Sequence, residues 1–377
     1  MSRASSRVAL LLGTTLVLAA LVGAGLRLQP SSGQSRPPEG ARVELLRATL
    51  GVARAAHTAT RLRSGRVLIV GGIGHGERPL SSAEVYTPSR RDFVSGPRTV
   101  RERGGGHAAV LLRDGRVLVL GGWSQGAVTA STELYDETRS AFRPAASMRS
   151  PRGALTATRL RDGRVLVVGG TDGRSPLASA ELFDPATGAF RPAGPMGSAR
   201  VGHAAVLLRD GRVLVLGGSD GDRVLAGAEL FDPATGAFTP VASMAVARHK
   251  HAAVLLRDGR VLVLGGSDER DWRGRYRSTE IYDPRADAFV AGPRMQLPRF
   301  KIAGSVAPTG VSFVVAGGER VELYDPARNR FRIVSSGLGA DWQLMTATAL
   351  GRGRALVVGG YDPAIRPTSR AWLVVSS

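Results

Sequence analysis

Apolar residues in this chain gather in short continuous runs: Val67-Leu68-Ile69-Val70, Val117-Leu118-Val119-Leu120, Val165-Leu166-Val167-Val168, Val213-Leu214-Val215-Leu216 and Val261-Leu262-Val263-Leu264. Runs of this length, rich in valine, predict strands buried on both faces. Each is ended by two glycines, and such pairs occur seven times: Gly71-Gly72, Gly121-Gly122, Gly169-Gly170, Gly217-Gly218, Gly265-Gly266, Gly317-Gly318 and Gly359-Gly360. Successive pairs lie 50, 48, 48, 48, 52 and 42 residues apart. A period in this range marks a repeat architecture whose units share one core.

One unit is clearest at residues 200–244. A first strand is predicted over 203–208, followed by Asp210-Gly211, a hairpin signal in which glycine takes positive φ freely. The second strand is 213–216, and its glycine pair permits close backbone approach and a sharp exit. After a variable loop, a third strand is predicted over 228–231. The turn Asp232-Pro233-Ala234-Thr235-Gly236 leads to a fourth strand beginning near Phe238. Aromatics seven apart tie the last two strands: Tyr86/Phe93, Tyr135/Phe142, Phe183/Phe190, Phe231/Phe238, Tyr282/Phe289 and Tyr324/Phe331. These rings are expected to wedge between neighbouring sheets.

Four antiparallel strands repeated around a ring make a β-propeller. Apolar runs ending in Gly-Gly, followed by an aromatic in the third strand and another in the fourth, resemble the Kelch-repeat family over about residues 43–375. Kelch repeats usually carry tryptophan in the fourth strand. Phenylalanine there looks like the bacterial, galactose-oxidase-like branch. The expected fold is all-β, a seven-bladed propeller of four-stranded antiparallel blades. The seventh unit supplies only three strands, over 344–350, 355–358 and 371–375, while an orphan strand at 43–47 precedes blade one. That N-terminal segment is expected to complete blade seven, because an unpaired edge leaves backbone groups exposed.

Ahead of the propeller, Arg3 and Arg7 precede an uncharged stretch from Val8 to Leu26. Residues 1–26 are expected to be a signal peptide, or alternatively a retained inner-membrane anchor. Residues 27–40 are expected to form a flexible linker, and 41–377 the propeller. An exported location (periplasm, cell surface or medium) follows from either reading.

The formal net charge is +20, and the only lysines are Lys250 and Lys301. Such a chain is drawn to polyanions, whether acidic glycans, lipid head groups or nucleic acid. Arginine-favouring codon usage produces the same excess, and the arginines form no single run. Export makes nucleic acid an unexpected partner. The chain has no cysteine, which excludes disulfides and thiolate chemistry. The copper-radical activity of galactose oxidase, which needs a cysteine cross-linked to tyrosine, is excluded with them.

Residues that obey the repeat are expected to be scaffold. His57, His107, His203 and His251 stand fourteen residues before a glycine pair. Each is expected to make a structural hydrogen bond inside its own blade. Arg54, Arg152, Arg200 and Arg248 recur against Glu84, Glu133, Glu181, Glu229, Glu280 and Glu322, and ion pairs that staple strands are expected. Residues that break the repeat are the candidates for binding. The longest loop after a glycine pair carries Arg270, Trp272, Arg273, Arg275 and Tyr276. Trp123, Asp172, Asp220 and Tyr361 lie in the same loop class. Arginine beside aromatic rings suits glycan stacking, anion capture or a protein hot spot. No catalytic residue, metal site or cofactor is expected. The expected role is a monomeric scaffold that binds a protein or an acidic glycan through these loops. The alternative is a metal-free, mutarotase-like sugar isomerase on the same face.

Overall fold

A computed structural model of the chain describes residues 40–268, 275–302, 304, 306–309 and 312–376. Seven four-stranded antiparallel sheets are present, arranged as blades. Blade four shows the pattern with strands Ala204–Leu207, Val213–Leu216, Ala228–Asp232 and Ala237–Val241. First strands of neighbouring blades meet one another around the axis. The second strands are buried along their whole length in blades one to five, as their unbroken apolar runs require.

Blade seven is built from Thr346–Gly351, Arg354–Val358, Ala371–Val375 and the N-terminal strand Arg42–Leu45. The N-terminal strand pairs antiparallel with Ala371–Val375, placing Arg42 opposite Val375 and Leu45 opposite Trp372. Every strand of the seven blades therefore lies between Arg42 and Val375. Blade six departs from the pattern. Its third strand, Gly318–Asp325, starts at the glycine pair itself, and its fourth strand runs on from Arg330 to Trp342.

Neighbouring blades meet at the glycine pairs. Gly71 and Gly72 have φ of 61° and 92°, and Gly72 N donates to Arg103 O of the next blade at 2.7 Å. A Cβ on Gly71 would sit 2.4 Å from that carbonyl, so no side chain fits. The same bond recurs at five more joints, from Gly122, Gly170, Gly218, Gly266 and Gly360 to Arg152, Arg200, Arg248, Arg299 and Arg54, at 2.8–3.0 Å. The aromatic pairs complete the packing. Tyr86 and Phe93 lie 4.9 Å apart, and Tyr86 packs with Leu356 and Val358 of blade seven.

Arginine and glutamate form one buried ion pair in each of blades one to six, at 2.7–3.1 Å. Arg103 and Arg299 belong to this set. An extra residue before the glycine pair of their blades moves them out of the seventeen-residue count. Each glutamate also accepts backbone N–H groups from the loop entering its blade; Glu84, for example, takes Gly51 N at 2.7 Å and Val52 N at 3.2 Å. Blade seven replaces the ion pair with Trp342 and Trp372, whose rings lie 5.8 Å apart.

His107 keeps a bond within its own blade, from Nδ1 to Gly104 O at 2.8 Å, but the shared pattern of the histidines runs across the joints instead. His57, His107 and His203 reach back across the joint to a threonine of the preceding blade: Thr346 at 2.8 Å, Thr58 at 3.1 Å and Thr156 at 2.8 Å. Where the preceding blade offers Ala108 instead, the next blade presents Leu155, and the two pack together. His251 breaks the match, since blade four has Ala204 at the threonine position and neither ring nitrogen finds a partner.

Burial, opposed by a bond to Gly104 O, holds His107 down to about 4; burial and Arg200 hold His203 down to about 3. The unfolded chain takes up these protons near pH 6.5, so it binds more protons than the folded chain below that value. Stability is therefore complete above about pH 6.5 and is lost as pH falls towards 4. The melting temperature should fall more steeply between pH 7 and pH 4 in the wild type than in H107L. Equal slopes would show that this imidazole does not govern the acid limb.

Candidate functional site

Within each blade the chain alternates between two ends of the sheet. Loops after the glycine pairs and loops entering the first strands share one face, opposite the Asp-Gly hairpins. Several residues expected to bind a ligand are used within this loop face. Asp172 accepts from Arg174 N and Ser175 N, both at 2.8 Å, and so closes its own turn. Asp220 does the same with Asp222 N, Arg223 N and Arg223 Nε. Trp123 begins a small hairpin, Trp123–Ser124 with Ala127–Val128, and lies beside Gly153 of the next blade. A Cβ on Gly153 would approach Trp123 Nε1 to 3.1 Å. Tyr361 is partly buried and bridges Gln343 and Pro367 through its backbone. Burial, with Glu77 adding to it, pushes its phenol up to about 12, so it stays a neutral hydroxyl. Arg270, Trp272 and Arg273 lie outside the described residues.

Arg275 and Tyr276 come together at the joint between blades five and six. Tyr276 N donates to Gly266 O at 2.9 Å and its carbonyl accepts from Arg299 N at 3.0 Å. The Arg248 guanidinium stands 5.4 Å from the Tyr276 ring centre. Arg275 pairs with Asp341 at 3.0 Å and stands 5.9 Å from the ring of Phe300. Arg275 thus spans from blade five across blade six to the entry of blade seven.

This span crosses the place where the repeat fails. In blades one to five the buried arginine donates through Nη1 to the first glycine's carbonyl, at 2.7–3.1 Å. In blade six the missing loop changes this. Arg299 holds Glu322 and donates to Arg320 O, while its Nη1 is buried with no hydrogen-bond partner. Burial pulls the Arg299 guanidinium's pKa down and Glu322 pulls it back, so the group keeps its charge. Gln343 Nε2, from the entry to blade seven, is likewise buried and unpartnered. Both residues line one cleft of about 10 Å³ with Arg275, Phe300, Gly318 and Asp341. That is room for roughly one oxygen-sized atom. The joint is also looser here: a Cβ on Gly317 would lie 3.7 Å from Trp342 O.

Sequence alone pointed to Arg275 and Tyr276 through the long loop. Arg299, Gln343 and Asp341 were missed as site residues. Their signal was present, since blade six has almost no loop after Gly318 and blade seven lacks the arginine. Reading it required knowing that the two defects adjoin.

The fold defines the class, a seven-bladed β-propeller. Comparison with known families then places a Kelch motif at residues 156–197, 200–245 and 248–296, which cover blades three, four and five. With the same glycine joints and aromatic pairs continuing around the ring, the chain is a Kelch-repeat propeller. No curated protein matches the chain. Among the described residues no helix is long and apolar enough to cross a membrane.

Proposed function

We propose that this Kelch propeller is an exported, bacterial-type binding scaffold that holds a carboxylate-bearing partner on its loop face, at the joint of blades five, six and seven. Kelch propellers generally bind protein partners, and rigid blades suit the role because they present variable loops on a fixed rim. The observation that carries the reading is that Arg299 and Gln343, each with a buried, unpartnered donor (Nη1 and Nε2), line the same cleft. Buried donors without acceptors cost free energy, and a ligand oxygen that supplies the acceptor recovers it. A guanidinium beside an amide favours a carboxylate oxygen over a neutral one. Such a group occurs on acidic protein side chains and on acidic sugars, and Phe300 offers an apolar wall beside it.

Arrays of acidic glycans and of acidic peptides, probed with residues 40–377, test the reading. The variant R275A/Q343A removes rim and donor without touching the buried Arg299–Glu322 pair. It should bind any carboxylate probe retained by the wild type at least about tenfold more weakly, close to 1.4 kcal/mol. Equal retention by both proteins would remove this joint as the site.

A further inference from the structure

We propose that the opposite face, bearing the Asp-Gly hairpins, is an electrostatic docking surface for an anionic lipid bilayer. Six exposed arginines sit in these hairpins: Arg63, Arg113, Arg161, Arg209, Arg257 and Arg352. The hairpins join first to second strands, and the first strands surround the axis, so these arginines encircle one mouth of the propeller. Arg63, Arg113, Arg161, Arg209 and Arg257 each stand two residues before the hairpin glycine, and equivalent positions in a ring stand at equivalent heights, which puts these charges in one plane; Arg352 takes the place of the hairpin aspartate in blade seven.

The carboxylates of the same hairpins are engaged elsewhere. Asp114, Asp162, Asp210 and Asp258 pair with Arg116, Arg164, Arg212 and Arg260 at 2.6–2.7 Å. Glu137, from an outer turn, pairs with Arg66 at 2.8 Å. Further out on this face, Asp184 and Asp232 cap their own turns by accepting from Ala186 N and Ala234 N. Among the described residues the six inner arginines form no ion pair with a carboxylate, although the Arg63 charge reaches Asp114 of the next hairpin, where, against burial, it joins Arg116 in lowering the pKa. Four of them are nonetheless held in place. Arg63, Arg113, Arg161 and Arg209 each lie against the hairpin glycine of the next blade, where a Cβ would approach the arginine Cδ to 3.1–3.3 Å. Arg113 and Arg161 also donate to the backbone carbonyls of Arg161 and Arg209. The positive ring is thus ordered by the blades themselves rather than neutralised by them.

The direction of the chain selects a membrane over other polyanions. Arg42 opens the outermost strand of blade seven opposite Val375, the end of a third strand, and third strands end on the hairpin face. The residues before Arg42 therefore join the propeller on the arginine face. In sequence they comprise the apolar stretch Val8 to Leu26 and the linker that follows it. A random-coil chain of fourteen residues, the length of segment 27–40, would span roughly 20 Å on average. If Val8 to Leu26 stays in a bilayer, a tether of that length holds the arginine face beside the head groups and leaves the loop face turned outward. The exposed large apolar residues Leu45, Val52, Val94, Val100, Val290 and Ile365 lie outside these hairpins, so contact through charge fits better than insertion. Each arginine near an anionic leaflet strengthens binding severalfold, and salt weakens it.

The test is co-sedimentation of residues 40–377, which hold all the strands of the ring, with vesicles of phosphatidylglycerol and phosphatidylcholine and with phosphatidylcholine alone. Sedimentation is expected with the anionic vesicles at about 0.15 M salt, and loss of it at several-fold higher salt. The variant R113Q/R161Q/R209Q/R257Q should lose at least about tenfold in partitioning at an unchanged melting temperature. A control, R98Q/R101Q/R149Q/R277Q, removes the same charge from the loop face and should partition like the wild type. Equal losses in the two variants would assign the binding to bulk charge and overturn the proposal. Retention on duplex DNA or heparin without vesicle binding would overturn it as well.

Discussion

Removing residues 41–50 should open the ring and lower the melting temperature sharply, with unfolding no longer a single cooperative transition. The segment supplies the outer strand of blade seven, and its loss leaves Ala371–Val375 as a raw edge. It also carries Ala41, Leu46 and Leu50, which are 7%, 4% and 2% exposed. Leu46 N and Leu50 N donate to Ala371 O and Ser369 O, both at 2.9 Å. Truncating either leucine to alanine alone should cost about 2–5 kcal/mol. Differential scanning calorimetry on the deletion and on L46A and L50A checks the set. An unchanged melting curve for the deletion would mean that blade seven is closed some other way.

The second large effect concerns the buried ion pairs. In E133A, Arg103 keeps a charge at 0% side-chain exposure with no carboxylate, and Val100 N and Arg101 N lose their acceptor. Stability should fall by about 3–5 kcal/mol. The double variant R103M/E133L should lose less than E133A does, because no charge is stranded. Blade seven already carries an apolar answer at these two positions, the Trp342–Trp372 pair, within the same ring. The pairs therefore serve less as net stabilisers than as clamps: Glu133 gathers the incoming loop, and Arg103 holds Glu133 and the Gly121 and Ser131 carbonyls. Urea denaturation of both variants decides the matter. A double variant as unstable as E133A would mean that the loop contacts carry the energy and the charge pairing little of it.

Much of the architecture was legible in the residues because a period acts on every unit alike. The glycine pairs, the aromatic interval and the Asp-Gly hairpins marked four strands per blade, and the shortage of one strand in the last unit pointed to Arg42–Leu45. The loop face was legible for the same reason, since its loops are where the period lapses. Aligning to one landmark also misled. Arg103 and Arg299 fell out of register by a single residue and were left out of the ion-pair set.

Periodicity identifies which positions are equivalent, and that much about this protein the amino-acid order determined by itself: an all-β ring of seven blades, closed by its own N-terminal strand. It does not say which equivalent positions face each other across a joint, because that depends on how one sheet is rotated against the next. His57 meets Thr346 from 289 residues away, and only the closed ring brings them to 2.8 Å. The cleft of Arg299 and Gln343 likewise exists because a lost loop in one blade adjoins a lost arginine in the next. The hairpin arginines, spread through the sequence as an unremarkable excess, become one charged plane because the blades present them at one end of the axis.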